Sequence, residues 1–179
     1  MIQDQSHLTA EQRAEQRLKT HIDAIALLKA SSIARLPELD IAGYYAFSVM
    51  PKVTGRAGEI TYMVNDQEIL ASGQPGHFDK IMKLVMEDKK SSPLKVKTFA
   101  KLFLRMKVIR YGVLLDKPDG HILLTPNQLP PDIFEPPSMT DTPEGINYRF
   151  WMFDTDRYLP VFWDIWVKRD GTTTFTSRQ

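Results

Sequence analysis

The residue best suited to chemistry is an aspartate that stands between large aromatic side chains. Asp164 lies in the sequence VFWDIWV, and the alternation of a β-strand puts Phe162, Asp164 and Trp166 on one face. An acid in these surroundings lies at a sheet edge, pairs with a base, or lines a concave pocket. Pairing with Arg149 is the structural interpretation, which we favour. A pocket would instead suit Asp164 to general acid–base catalysis with Tyr148 or Arg149 nearby, and Phe162 and Trp166 would line a binding surface.

A second pair of acids, Asp154 and Asp156, follows a predicted strand. Two carboxylates can bind a hard cation through oxygen, but aspartates also bond to the backbone in tight turns. We favour the turn, because two carboxylates fall short of a full oxygen shell. The chain has no cysteine, and its four histidines lack the local spacing of a metal site. We therefore predict no metal site, and no cofactor either, since neither GxGxxG nor GxxxxGK[ST] occurs.

The strongest anomaly is a basic stretch in the middle of a nearly neutral chain. The 179 residues carry a net charge of +1, yet residues 79–110 contain ten Lys/Arg and only three acids. Lys97, Lys101 and Arg105 follow one another at i, i+4 and i+8, so they share one face of a helix. Such a face attracts an acidic protein surface, a small anionic ligand or a phosphate backbone. The structural alternative is a solvated helix face that keeps the protein soluble.

Nucleic acid is the weakest of these three partners. The chain is neutral overall, and no aromatic residues interleave the basic face to stack on bases. The local charge of +7 is offset elsewhere, since residues 132–164 contain seven acids and two arginines. The two oppositely charged blocks either face each other within the fold or point apart and make the molecule a dipole.

The N-terminal region is predicted to be helical. Thr9 and Gln12 have the spacing of a capping box, and apolar residues at helical spacing continue from Leu18 toward Pro37. Residues 10–17 are polar nearly all round, so we interpret residues 1–17 as a polar extension of this helix that is solvated or lies on a partner. Residues 18–179 are predicted to form a single domain, in keeping with the length of the chain.

The rest of the chain is predicted to hold strands, then two central helices, then further strands. Ser92 and Pro93 are expected to begin the second central helix, which carries the basic face. A hairpin is expected at the sequence KPDG, residues 117–120, and the Pro-rich residues 126–143 are expected to form a long loop. Helices and strands are segregated along the chain, which favours the α+β class with a largely antiparallel sheet of about six strands. This order allows a curved sheet wrapped by helices, as in the cystatin-like and NTF2-like cones.

These observations favour a non-enzymatic binding or protein-interaction module that uses its basic helical face. One alternative is a small enzyme or ligand carrier with a sheet–helix pocket at Asp164, and another is a nucleic-acid binder that uses residues 79–110. No signal peptide and no membrane span are visible in the sequence, so we expect a cytoplasmic soluble protein. The sequence sets neither the ligand nor the oligomeric state.

Overall fold

The computed structural model describes residues 7–25, 28, 31–52, 58–88, 92–109, 112–118 and 131–179. The chain divides into two compact units, Met1–His77 and Phe78–Gln179. Each unit combines helices with an antiparallel sheet, one of four strands and one of five, so the predicted α+β class is confirmed. The cystatin-like or NTF2-like cone stays a prediction, as does the single domain over residues 18–179. Among the described helices, none is long and apolar enough to cross a membrane.

The first unit packs one helix on a four-stranded sheet. Its elements are α1 (Ala10–Asp23), β1 (Ser32–Arg35), β2 (Tyr45–Met50), β3 (Ile60–Val64) and β4 (Ile69–Ala71), with the strands in sequence order. The capping box is confirmed: the Thr9 hydroxyl accepts from the Gln12 amide, and the Gln12 side chain accepts from the Thr9 amide. The predicted continuation of the helix toward Pro37 is wrong, because α1 ends at Asp23 and residues 32–35 pair with β2.

The N-terminal helix is held to its sheet by apolar and polar contacts. Its buried side, formed by Ala14, Leu18 and Ile22, packs in one cluster with strand residues that include Tyr62. Residues 10–17, predicted to lie in a polar extension, therefore contribute Ala14 to the core. Arg13 also donates to both carboxylate oxygens of Asp66 in the β3–β4 turn, and this contact lowers the pKa of that carboxyl.

The second unit begins with two helices. They are α2 (His77–Glu87) and α3 (Val96–Phe103), and a π-helical turn, Leu104–Val108, extends α3. The predicted start at Ser92 and Pro93 is wrong, because Lys95 still has an extended backbone, with ψ 143°, and caps a helix that begins at Val96. The helix begins at the first residue of its apolar stripe, Val96, whereas Ser92 is exposed and lies outside that stripe.

The five-stranded sheet is built around one long strand. Its strands are β5 (Gly112–Leu115), β6 (Ser138–Thr142), β7 (Gly145–Asp154), β8 (Leu159–Lys168) and β9 (Thr173–Arg178). The order is β5-β7-β8-β9, and β6 also pairs with β7. β7 can hold both partners because β6 pairs along residues 145–149 and β5 along residues 151–154.

The Pro-rich segment is only in part the loop that was predicted. Residues 138–142 form β6, which is free to pair because the prolines stand outside it, at Pro137 and Pro143. Residues 126–130, and the second strand of the hairpin predicted after KPDG, lie outside the described residues.

One face of the five-stranded sheet is packed against the helices, and we call it the helix-packed face. Strand alternation puts Tyr148, Trp163 and Phe175 on this face. The Phe99 ring of α3 stacks on Tyr148 with 3.7 Å between centroids, and Phe103 meets Trp163 edge to face at 5.4 Å. These contacts fill the space between helix and sheet with aromatic rings.

A tight turn brings the last hairpin against α2. In the turn at Arg169-Asp170-Gly171, the Asp170 carboxylate accepts from the Thr172 amide, which lowers the pKa of that carboxyl. Gly171 has φ +86°, and a Cβ there would lie 2.4 Å from the backbone nitrogen of Lys83. Only glycine satisfies both the conformation and the close approach.

Candidate functional site

The opposite face of the five-stranded sheet, which we call the Asp164 face, carries the residues that the sequence singled out. Its members are Asn147, Arg149, Phe162, Asp164, Trp166, Thr174, Thr176 and Arg178, which alternate with the helix-packed residues and stand opposite one another in register. The predicted division of β8 into two faces is therefore confirmed. Three neighbouring strands bring these side chains together.

Asp164 is held by two neighbours on β7. Asn147 donates from Nδ2 to Asp164 Oδ1 at 2.7 Å, and Arg149 Nε lies 3.3 Å from Asp164 Oδ2. The arginine contact is electrostatic, since Arg149 Nε lacks the geometry of a hydrogen bond to any partner. About 39% of the Asp164 side chain remains exposed, so the carboxylate is oriented by its partners and still accessible to solvent.

The ion pair is one part of a larger charge network. Arg149 Nη2 also lies 3.1 Å from Glu135 Oε2, and Arg178 donates to the other oxygen of Glu135 at 2.5 Å. Both guanidinium groups lie over the buried Phe162 ring, at 5.3 Å for Arg149 and 4.4 Å for Arg178. Two arginines and two carboxylates thus balance their charges across the sheet, above an aromatic base.

A small cleft opens on the other side of Asp164. It has a volume of about 200 Å³ and is lined by Asp164, Trp166, Thr174, Phe175 and Thr176. Sites for drug-sized ligands are usually larger, roughly 300–1,000 Å³. The cleft therefore suits one side chain or a similarly small group.

Tyr148 does not lie near Asp164. It is buried on the helix-packed face beneath Phe99, because it precedes Arg149 in a strand and neighbouring side chains point to opposite faces. Burial raises the pKa of its hydroxyl, and the negative charge of Asp141 adds to the effect. Of the three catalytic candidates, Asp164 and Arg149 meet, and Tyr148 is separated from them by the sheet.

The weak metal candidates form a turn. Asp154 is buried, and its Oδ1 accepts from the backbone amides of Asp156 and Arg157 at 3.0 and 3.1 Å. These bonds shape the β7–β8 connection and point Asp156 outward to solvent. Across the described part of the chain, no three His, Asp or Glu side chains stand close enough to hold a metal ion.

The basic candidates lie on the far side of α3 from the aromatic core. Lys97 and Lys101 are exposed, and Arg105 is half-buried in the π-helical turn. Phe99 and Phe103, on the opposite side of the helix, are fully buried. We call the surface of Lys97, Lys101 and Arg105 the basic face.

Ion pairs within the second unit join residues inside each charged block and also link the acidic block to arginines outside it. In the basic block, Lys107 lies 3.1 Å from Asp79, an acid already counted in the local charge of +7. In the acidic block, Asp141 pairs with Arg169, and Glu135 and Asp164 pair with arginines of the same sheet. Local partners therefore reduce the charge separation that the sequence suggests.

Sequence reasoning missed Asn147, Glu135, Arg178 and the two threonines of the cleft. Each is an ordinary polar residue in sequence. Strand register brings Asn147, Arg178 and the threonines to the face of Asp164, and Glu135 joins them from the segment before β6 through its ion pairs with Arg149 and Arg178. The alternation of β9 could have placed Thr174, Thr176 and Arg178 on one face. No local signal identifies that face as the one shared with Asp164.

Comparison with protein-family models, curated proteins and solved structures finds no match to this chain. The geometry of its own residues is therefore the basis on which a function is proposed.

Proposed function

We propose that this chain is a non-enzymatic interaction module whose basic face binds an acidic protein surface. The observation that carries the proposal is the filled helix-packed face. A small enzyme or carrier with its site at Asp164 needs a cavity between the helices and the sheet of the second unit, where Phe99, Phe103, Tyr148 and Trp163 occupy that space. The cleft at Asp164 is small and lies on the opposite face.

The packing of α3 also supports the choice of the basic face. Burial of Phe99 and Phe103 fixes the rotation of the helix, so Lys97 and Lys101 must project from the side that faces away from the sheet. Charges on a rigid helix need little ordering when they meet a partner. A surface of this kind steers an acidic segment by long-range attraction, and salt weakens that attraction.

A labelled 20-residue poly-glutamate peptide is the probe for the first test. We expect its fluorescence anisotropy to rise on binding at low salt and the affinity to fall as salt is added. The triple variant Lys97→Ala/Lys101→Ala/Arg105→Ala should bind about tenfold more weakly, since three surface contacts are lost.

The control removes the same charge elsewhere. In Lys19→Ala/Lys83→Ala/Arg157→Ala three exposed cations are lost, two of them from solvent-exposed i,i+4 pairs with little effect on stability. This variant should keep the wild-type affinity. Equal weakening of both variants, or tighter binding of a single-stranded 20-nucleotide DNA through the same three residues, would contradict the proposal.

A further inference from the structure

We propose that the cleft beside Asp164 is a second recognition site, which takes the guanidinium group of an arginine from a basic protein segment. The site is independent of the basic face, since it lies on the opposite side of the five-stranded sheet. Asp164 provides the charge, Trp166 the aromatic surface, and Thr174 and Thr176 the wall contributed by β9.

The Asp164 carboxylate can accept more hydrogen bonds than its neighbours provide. An ionised carboxylate has about four lone-pair positions. Asn147 occupies one on Oδ1, and Arg149 attracts Oδ2 without a hydrogen bond. These two contacts orient the carboxylate and leave room for a third donor from the cleft.

The cleft carries a negative charge. Its five lining residues carry one formal charge, the negative charge of Asp164, whereas Arg149, which pairs with Asp164, lies outside the cleft lining and is shared with Glu135. The threonine hydroxyls can donate or accept, so they tolerate the N–H groups of a cation. A volume of about 200 Å³ admits one side chain and argues against a larger cofactor.

The same face already holds two of its own arginines over an aromatic ring. On one side of Asp164, Phe162 lies beneath the guanidinium groups of Arg149 and Arg178. On the other side, Trp166 repeats the aromatic position on the same strand face and borders the cleft. Tryptophan is the strongest cation–π partner, and a guanidinium stacks on aromatic rings more readily than an ammonium does. An arginine in the cleft would lie against Trp166 as Arg149 and Arg178 lie over Phe162.

The test uses N-acetyl-arginine amide as the probe, titrated into the ¹⁵N-labelled full chain. One side chain is expected to bind with a dissociation constant of about 1–10 mM. Saturable shifts should appear at the Trp166 indole N–H and at the Thr174 and Thr176 amides. The isosteric, uncharged N-acetyl-citrulline amide should produce no saturable shift.

Two variants locate the site. Asp164→Asn should weaken binding at least about tenfold, whereas Asp156→Asn, which removes an exposed carboxylate at the β7–β8 turn, should leave it unchanged. Trp166→Leu keeps the contacts of Asp164 and should weaken binding severalfold, which distinguishes recognition from a disturbed charge network. Melting curves of each variant establish that it is folded.

Several outcomes would overturn the inference. These are equal binding of the citrulline analogue, absence of saturable shifts with the arginine probe, and unchanged binding in Asp164→Asn. Tighter binding of a free polyamine than of the arginine probe would overturn the assignment to a protein partner. The triple variant of the basic face should bind the arginine probe normally, so failure of this inference is distinct from failure of the proposed function.

Discussion

On one face of the five-stranded sheet aromatic rings pack against the rings of the helices, and on the other face an aromatic cluster lies beside charged groups. Phe99 stacks on Tyr148 at 3.7 Å and both are fully buried. Phe162 is also buried, and it contacts the Trp151 ring at 5.2 Å as well as the guanidinium groups of Arg149 and Arg178. The same two strands, β7 and β8, build both surfaces because successive residues point in opposite directions.

Aromatic content alone does not distinguish packing from recognition. A ring among rings gains free energy by leaving water and by close contact, so its removal leaves a cavity. A ring under a guanidinium group instead supports a charged side chain that stays partly exposed. The side chains of Arg149 and Asp164 are each about 40% exposed. We therefore expect the helix-packed face to control the free energy of unfolding and the Asp164 face to control binding.

The largest expected effect is the loss of a ring from the helix-packed face. Phe99→Ala should reduce the free energy of unfolding by about 3–5 kcal/mol, because it removes contacts with Phe78, Phe103 and Tyr148. Equilibrium denaturation in guanidinium chloride measures this change. Trp166→Ala, on the other face, should cost less than half as much, and an equal cost would contradict the division between the faces.

A smaller effect concerns alkaline pH. Burial raises the pKa of Tyr148 above that of an unfolded tyrosine, which is about 10. The contribution of Tyr148 to the free energy of unfolding is therefore fully present below about pH 10. It is lost as the pH rises further, because the unfolded chain releases the tyrosine proton first. Above pH 10, the unfolding free energy of the wild type should fall faster than that of Tyr148→Phe, by at most about 1.4 kcal/mol per pH unit.

Denaturation curves between pH 8 and pH 11.5 test this prediction. The phenylalanine variant keeps Tyr44 and Tyr62, whose pKa values burial also raises, so the difference between the two proteins isolates Tyr148. Identical slopes in the two proteins would show that the Tyr148 hydroxyl is as well solvated as in the unfolded chain.

The smallest effect is expected from the ion pair on the Asp164 face. A double-mutant cycle with Arg149→Met and Asp164→Asn should give a coupling energy below about 1 kcal/mol, because both side chains are well exposed. The coupling should decrease further in high salt. A coupling of about 3 kcal/mol or more would indicate a structural pair of the buried kind and would remove the contrast between the faces.

Local patterns predicted part of this structure well. The capping box at Thr9 and the alternation around Asp164 were both predicted, because each depends on neighbours within a few residues. The strand at residues 32–35 was mistaken for helix, since its partner, β2, supplies the signal that its own sequence lacks.

The candidate site was predicted only as far as a single strand could show it. Alternation placed Phe162, Asp164 and Trp166 together, and Arg149 was named as a partner. The network also needs Glu135, which lies in the segment before β6, and Arg178, which lies at the end of β9. Such convergence depends on strand order and register, which a pattern within one segment does not contain.

The most direct test of two recognition surfaces on opposite sides of one sheet is a shift map with both probes. On one ¹⁵N-labelled sample, the poly-glutamate peptide should shift amides of α3 near Lys97 and Lys101, and the arginine probe should shift those of Asp164, Trp166, Thr174 and Thr176. We expect two separate groups of shifted residues, and each probe should leave the resonances of the other group unshifted. A single group shifted by both probes would contradict this expectation.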